Sequence, residues 1–589
     1  MAQTALLVCD AVEGNALRIA RILDLFAIPW QQLSPRALVD RAPDAAAGSY
    51  GVVCPMAILT RVRAERGRVN GLPPLIDAAE SVFVYGADAT PATRELLRDW
   101  SQSESATVAE TEGPASLCTI SRHVPTICGP MSGLQVSVPS LQPQLVFSGL
   151  SIEPLISVRE GCVFGILRSQ GTAWYLASSA AVIDLGQPVE QGYFDVADSL
   201  LSAVPIVMYI RQAFADIMLQ PVECGACLII DDPVLRPHYG FIDFHRLARC
   251  AVEHNFSCSI AFIPWNWRRS RSSVVELFKR NRDRLSISVH GCDHTGAEFG
   301  GSSSGWLNVL AKRASARMEK HRGRTGLEHD AVMVFPQGAF STVAPGVLKH
   351  NGFMAAVNTE VSPLDAPSGT RIADVWQMAI LRYADFPIFT RRYAGHGLHN
   401  FAFDMLLGKP CLLVAHHDDF QHDGRGVLEF IDRLNRLDVA LAWRPLGDLV
   451  RRAYRARWHG GGQQVRMFAS EIMLENGGST PRQAAVEKLE HGIAAVDRVR
   501  VDDRPVEFSQ AGELLRFAVE LTPRSRSLVR IDYRDGGASP SRGYSLRAHG
   551  QAAARRYLSE LRDECQARAP RVYRLAGTAR TWLAGAMRR

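Results

Sequence analysis

Cys227-Leu-Ile-Ile-Asp-Asp232 is a short apolar run that ends in two adjacent carboxylates, and its reading decides the architecture of the chain. Further along, a second run, Leu285-Ser-Ile-Ser-Val289, ends in His290-Gly-Cys-Asp-His294. Short apolar runs that stop at chemistry-bearing residues read as buried strands of β/α units, which place reactive groups where strands give way to loops. Similar runs occur at 257–263, 331–335, 354–357, 411–415 and 439–443. Residues 221–455 therefore hold seven strands with helical intervals, the pattern of a distorted (β/α)7-type barrel.

Together the two clusters offer an aspartate and two histidines, a ligand set suited to one open-sided divalent ion, with a second carboxylate beside it to act as a base. His290 and His294 stand at i and i+4, so a helical turn or tight loop can turn both imidazoles to one point. The spacing does not decide which of Asp231 and Asp232 ligates and which serves as the base.

Composition bounds the rest. At 589 residues, 47% hydrophobic and 21% charged, the chain has ordinary globular composition and room for roughly three to five domains. No stretch approaches the ~20 apolar residues of a membrane span, and the opening residues lack the basic segment of a secretory signal. A cytoplasmic location is expected. The twelve cysteines are scattered and read as reduced thiols, and Cys224-Gly-Ala-Cys227, with no second pair near it, reads as structural.

Charge is uneven. Residues 541–589 carry eleven arginines against three acids, a net +8, which leaves the preceding 540 residues at about −2. This Arg-rich helical tail, broken at Pro570, reads first as a solvated helix face. It also suits an anionic partner: a nucleotide or lipid diphosphate carrier, or an anionic membrane. The arginines lack the interleaved aromatic platform of single-strand binders, so nucleic acid is not expected.

Residues 1–220 alternate strand-like and helix-like segments, with strands at 5–9, 50–54 and 82–85, and suggest a doubly wound α/β domain of flavodoxin-like or amidotransferase-like layers without a catalytic motif. Arg455–Gln463 reads as a linker. Period-two alternation after it indicates a small antiparallel β-sandwich at 464–535.

Asp231-Asp232-Pro233 and His290-Gly-Cys-Asp-His294 resemble the first two motifs of the polysaccharide deacetylase superfamily, the NodB-homology domain of carbohydrate esterases. Phe335-Pro-Gln-Gly338, Gly352-Phe353, Leu413-Val-Ala-His416 and Leu446-Gly-Asp-Leu449 follow in the order of that family's later motifs, so the resemblance covers about residues 221–450. It implies a metal-dependent hydrolase that removes an N-acetyl group from an amino sugar. Asp232, His290 and His294 would hold a divalent ion, zinc first, with Asp231 as base and His416 as acid. Backbone at Gln337 would help hold the developing oxyanion, and Asp293 would tune a ligand from behind. Pro336 and Gln337 of the same loop, with Trp265 and Trp267 after the second strand, are the candidate substrate contacts.

The departures are Gly291 for the usual Ser or Thr, Pro233 directly after the Asp pair, and Val334 where the family has an arginine that orients the base. Arg382 and Arg236 are the candidate replacements. Asn358-Thr-Glu360 stands near the place of the fourth motif. Two other readings remain. One is a catalytically degenerate barrel that binds saccharide or scaffolds a biosynthetic complex; the other is a metal hydrolase acting on a different amide. His396 and His399 read as loop structure, and His417, Asp418, Asp419 and His422 as solvated charge rather than a second ion site.

Overall fold

The structure, a computed structural model, describes residues 2–569 apart from 42–47, 67–72, 102–106, 149–150, 160, 170, 179–180, 190–191, 460–461 and 535–545. Pro570 lies outside them.

The first unit is one nine-stranded sheet. Trp30–Leu33, Thr4–Val8, Tyr50–Pro55, Ser81–Tyr85 and Thr172–Ala177 run parallel, as the alternation of apolar runs and helices anticipates. The sheet then continues as antiparallel strands through Gly161–Ser169, Gln135–Ser148, Thr107–Ile120 and Ile152–Val158. The doubly wound reading therefore holds for only half of this sheet. The long strands Thr107–Ile120 and Gln135–Ser148 carry prolines and polar residues rather than an apolar run, which hid them from a periodicity search.

Helix Leu200–Ala213 is apolar on nearly every side, and it is accordingly buried nearly all round. Its Tyr209 meets Phe83 and Tyr175 at 5.1 and 5.2 Å between ring centroids. The apolar cluster that includes Phe83 and Tyr209 runs without a break into Leu228, Ile230 and Ile260 of the next unit. Residue 220 thus marks a change of sheet and not a break in the core.

In the second unit, eight parallel strands follow one another around a nearly closed barrel: Ile388–Thr390, Ala355–Asn358, Asp330–Val334, Leu285–His290, Cys258–Phe262, Cys224–Asp231, Cys411–Ala415 and Arg392–Tyr393. A ninth, Leu441–Trp443, pairs with the start of Cys224–Asp231. Seven of the nine match the sequence reading. The other two, Ile388–Thr390 and Arg392–Tyr393, end the path on either side and are separated in the chain by Arg391 alone. The barrel seam is closed through one residue.

Alternation along the strands sorts the side chains. Leu228, Ile230, Ile260, Ile287 and Val289 pack with the surrounding helices. Cys227, Ile229, Ala261, Val332 and Val334 pack instead with Leu446, Leu449 and Val450 of helix Leu446–Arg452. Asp231 shares the parity of Cys227 and Ile229, and His290 the opposite parity to Ile287 and Val289, so both point into the barrel.

The third unit is a β-sandwich of a six-stranded and a four-stranded sheet over one apolar core. It begins earlier than expected. Arg455–His459 and Gly462–Met467 are paired antiparallel strands, with His459 opposite Gly462, so the segment read as a linker supplies strands of the sandwich; Gly460 and Gly461 lie outside the described residues. Gln220–Pro221 joins the same sheet. Among the described residues no helix is long and apolar enough to cross a membrane, and all cysteines, Cys224 and Cys227 included, are free thiols. Helix Leu546–Arg568 follows the sandwich and returns to the barrel.

Barrel and sandwich are joined by a buried charge cluster. Glu490 accepts from Lys349 at 2.5 Å, Lys488 at 3.3 Å and Tyr533 at 2.9 Å. Glu490→Ala would leave two buried ammonium groups without a counter-charge, and a loss of about 3–5 kcal/mol is expected. A fall in the denaturation midpoint reads it, and Glu490→Gln, which keeps one acceptor, should lose less.

Candidate functional site

Asp231 ends the first barrel strand, and its neighbour Asp232 would by alternation point the other way. A backbone φ of +83° at Asp232 breaks the alternation and turns the second carboxylate to the same side. This left-handed region is one that Asp and Asn tolerate better than most residues. Asp232 Oδ1 lies 3.5 Å from His290 Nε2 and 3.3 Å from His294 Nε2. The ligand atoms of the three residues lie within 4.8 Å of one another, the one such cluster among the described residues. His417, Asp418, Asp419 and His422 form no second one.

Asp232 Oδ1 is buried with no hydrogen-bond donor among the described residues, a costly state for a carboxylate oxygen unless a cation faces it. His290 Nδ1 meets the Val334 carbonyl at 2.9 Å; that contact puts the proton on Nδ1 and leaves Nε2 free as a ligand. This donor set fits one divalent ion. Although burial opposes ionisation, His294, His290 and Arg556 together hold the Asp232 carboxyl well below the usual carboxylate range.

The histidine loop is braced from beneath by Glu298. Its carboxylate accepts from the backbone N–H groups of Cys292 at 2.5 Å, Asp293 at 3.2 Å and His294 at 3.1 Å. Asp293 is turned away from the ligands and takes a buried 2.6 Å contact from Arg317, which also donates to the Cys292 carbonyl. Through Arg317 it ties the loop to helix Ser304–Thr325. Gly291 has φ +61°, and a Cβ there would collide with Glu298 and with the ring of Pro336. The family's Ser or Thr is thus excluded by how Pro336 packs.

Asp231 is buried and gripped by Arg391, whose two Nη atoms donate to its two oxygens at 2.6 Å each. Burial pushes this carboxyl up, but the Arg391 guanidinium, with His290, outweighs it and holds Asp231 below the usual range. Neither candidate replacement cation is at this point: Arg382 faces Asp374 at 3.6 Å and Arg236 faces Glu560 at 3.9 Å. Both expectations are corrected to Arg391. It reaches Asp231 because it sits at the seam, a position that only barrel closure defines.

His416 Nε2 is 3.9 Å from Asp231 Oδ2, beyond hydrogen bonding but in the same space. Its ring stacks on Tyr393 (6.0 Å, 17°), and its backbone N–H donates to Asp419 at 2.8 Å. Tyr393 is exposed, an aromatic beside His416 that the sequence reading did not single out. Pro336 is buried under the histidine loop, and Gln337 is exposed at the rim with φ +57°. His396 stacks on Tyr193 (3.9 Å, 9°) and His399 faces Asp195 at 3.3 Å, both structural ties between the first unit and the barrel.

The two tryptophans are partly taken up by protein groups. Trp265 meets Tyr557 edge-on at 5.6 Å and Arg269 at 5.3 Å, whereas Trp267 has Arg268 and Lys320 over its ring. Tyr557 belongs to helix Leu546–Arg568, which also brings Asp563 to Tyr239 (2.8 Å) and His417 (3.3 Å). The same helix sets Arg556 Nη2 3.3 Å from His294 Nδ1. Arg556, Glu298 and Arg391 are the residues of this site missed in the sequence; Arg556 and Arg391 are distant in the chain from what they touch.

No family model matches the chain, and no curated protein matches it. Among solved structures it is similar to Agd3, described as a novel carbohydrate deacetylase, at 11% identity and a TM-score of 0.49 over 90% of this chain and 99% of that one. It is also similar to a family 4 carbohydrate esterase from Streptomyces lividans (12% identity, 36% and 86% coverage, TM-score 0.23) and to a family 4 pseudoenzyme from Bacillus anthracis (11%, 39% and 66%, 0.24). The motifs at 231–233, 290–294, 335–338 and 413–416 all stand at the ends of barrel strands, in the chain order on which the sequence resemblance rests.

Proposed function

We propose that the chain is a metal-dependent amidohydrolase that removes an N-acetyl group from an amino sugar in a polysaccharide or glycoconjugate precursor. The observation that carries this reading is the buried, donorless Asp232 Oδ1 between two imidazoles, with the Arg391-clamped Asp231 alongside. Asp232, His290 and His294 would hold the ion, zinc first among the candidates. When bound, a divalent ion polarises an acyl oxygen and makes water a usable nucleophile near neutral pH.

Asp231 accepts the proton of the attacking water. Arg391 keeps that carboxylate ionised and aimed, because a guanidinium is always charged and its planar fork matches both oxygens. His416, held by Tyr393 and open to the mouth, gives a proton to the departing amine, which is too poor a leaving group as an anion. The exposed Tyr393 and Gln337 offer a stacking face and a polar rim to a sugar ring. The net +8 of residues 541–589 suits a substrate on a nucleotide or lipid diphosphate carrier.

The competing reading, a degenerate saccharide-binding barrel, drew its support from Val334, and Arg391 supplies the missing cation from elsewhere. Arg556 is the observation that still favours it. A guanidinium donates but cannot accept, whereas ligation through Nε2 asks His294 Nδ1 to carry the proton.

Three outcomes are expected. Acetate release from N-acetylhexosamine substrates should need the ion, and His290→Ala should lose both stoichiometric metal by elemental analysis and turnover; full activity of metal-free enzyme overturns the mechanism. Arg391→Met should lower kcat by about 10²-fold or more, and, because it frees the Asp231 pKa to rise, should move the acid limb of the rate profile to higher pH. Arg556→Gln, which can accept from Nδ1, should tighten divalent-ion binding by about tenfold or more in a chelator competition; weaker binding would show that Arg556 supports the site.

A further inference from the structure

Helix Leu546–Arg568 has its amphipathicity inverted. Three of its charged residues face the barrel: Arg556 is 5% exposed against His294, Asp563 is 1% exposed between Tyr239 and His417, and Glu560 pairs with Arg269. Its apolar residues face out, with Tyr557 57%, Leu558 65% and Leu561 59% exposed. At 3.6 residues per turn positions 554, 557, 558, 561 and 565 form one stripe; Arg555 and Arg562 lie along one edge, Arg568 continues the stripe at its C-terminal end, and Glu564, paired with Arg568 at 2.9 Å, lies along the other edge. An exposed apolar stripe with arginines at its margin is the make-up of a helix that lies in the plane of a membrane interface.

We propose that this outward face docks on an anionic lipid bilayer. Charge selects that occupant. Arg555 and Arg562 edge the stripe and Arg568 ends it, Glu560 and Asp563 are turned in, Glu564 is the one acid at its margin, and residues 541–589 carry +8 against about −2 for the rest of the chain. Each arginine near an anionic surface strengthens adsorption about fivefold. Because the inward face of the same helix touches His294, docking sets the metal-ligating groups about one helix diameter, ~10 Å, from the headgroups. The proposal does not depend on which reaction the barrel carries out.

The test is sedimentation of the full chain with vesicles of phosphatidylcholine alone or with one third phosphatidylglycerol. Wild type should pellet with the anionic vesicles only, and less as salt rises. Leu558→Glu with Leu561→Glu should lower the partition coefficient at least about tenfold. Arg555→Ser with Arg568→Ser should lower it as well and flatten the salt dependence. Both leucines are exposed, so an unchanged thermal midpoint confirms that the fold is intact. Equal pelleting of the leucine variant and wild type, or no pelleting at low salt, overturns the proposal. So does self-association abolished by the leucine substitutions, which would give the face to a second copy of the chain.

Discussion

A carboxylate without water is an unstable charge, and the site is organised around keeping one. Buried alone, Asp231 would take up a proton and lose its capacity to accept another. Two parallel N–H···O contacts of 2.6 Å from Arg391 prevent this and fix both the charge and the direction of the carboxylate. Arg391 stands between the two strands that end the sheet path, so its place is set by how the barrel closes. Assembly of the Asp231–Arg391 pair and completion of the fold are therefore one geometric event.

Around that clamp the chain uses backbone as much as side chain. Val334 stands where a cation is usual, yet its carbonyl receives the proton of His290 and so selects the nitrogen that faces Asp232. Glu298 gathers three backbone N–H groups and holds the loop that carries His294. Gly291 lies so close to Glu298 and Pro336 that a Cβ there would collide with both, which explains this departure from the usual Ser or Thr. The sandwich and the first sheet brace the barrel through Glu490 and through the continuous core around Tyr209.

What could be read in the sequence follows from range. Asp231, Asp232, His290 and His294 could be picked out because each pair stands at or just beyond the end of an apolar run, where strands give way to loops. Arg391 could not, because the flanking strands Ile388–Thr390 and Arg392–Tyr393 are too short to show a period and their meaning comes from closure. Glu298 and Arg556 act across six residues and across more than 250, where nothing local marks them. The half-parallel first sheet and the strand Arg455–His459 were hidden by polar or glycine-rich composition. In both places tertiary pairing overrides local character.

The backbone at position 232 imposes two demands on one side chain. A left-handed φ is tolerated by glycine, asparagine and aspartate far better than by longer or branched residues, whereas a cation asks for a negative oxygen. Asparagine satisfies the conformation and glutamate the charge, but aspartate alone meets both. At this residue the shape of the chain and its chemistry converge on a single amino acid, and neither can be exchanged without loss of the other.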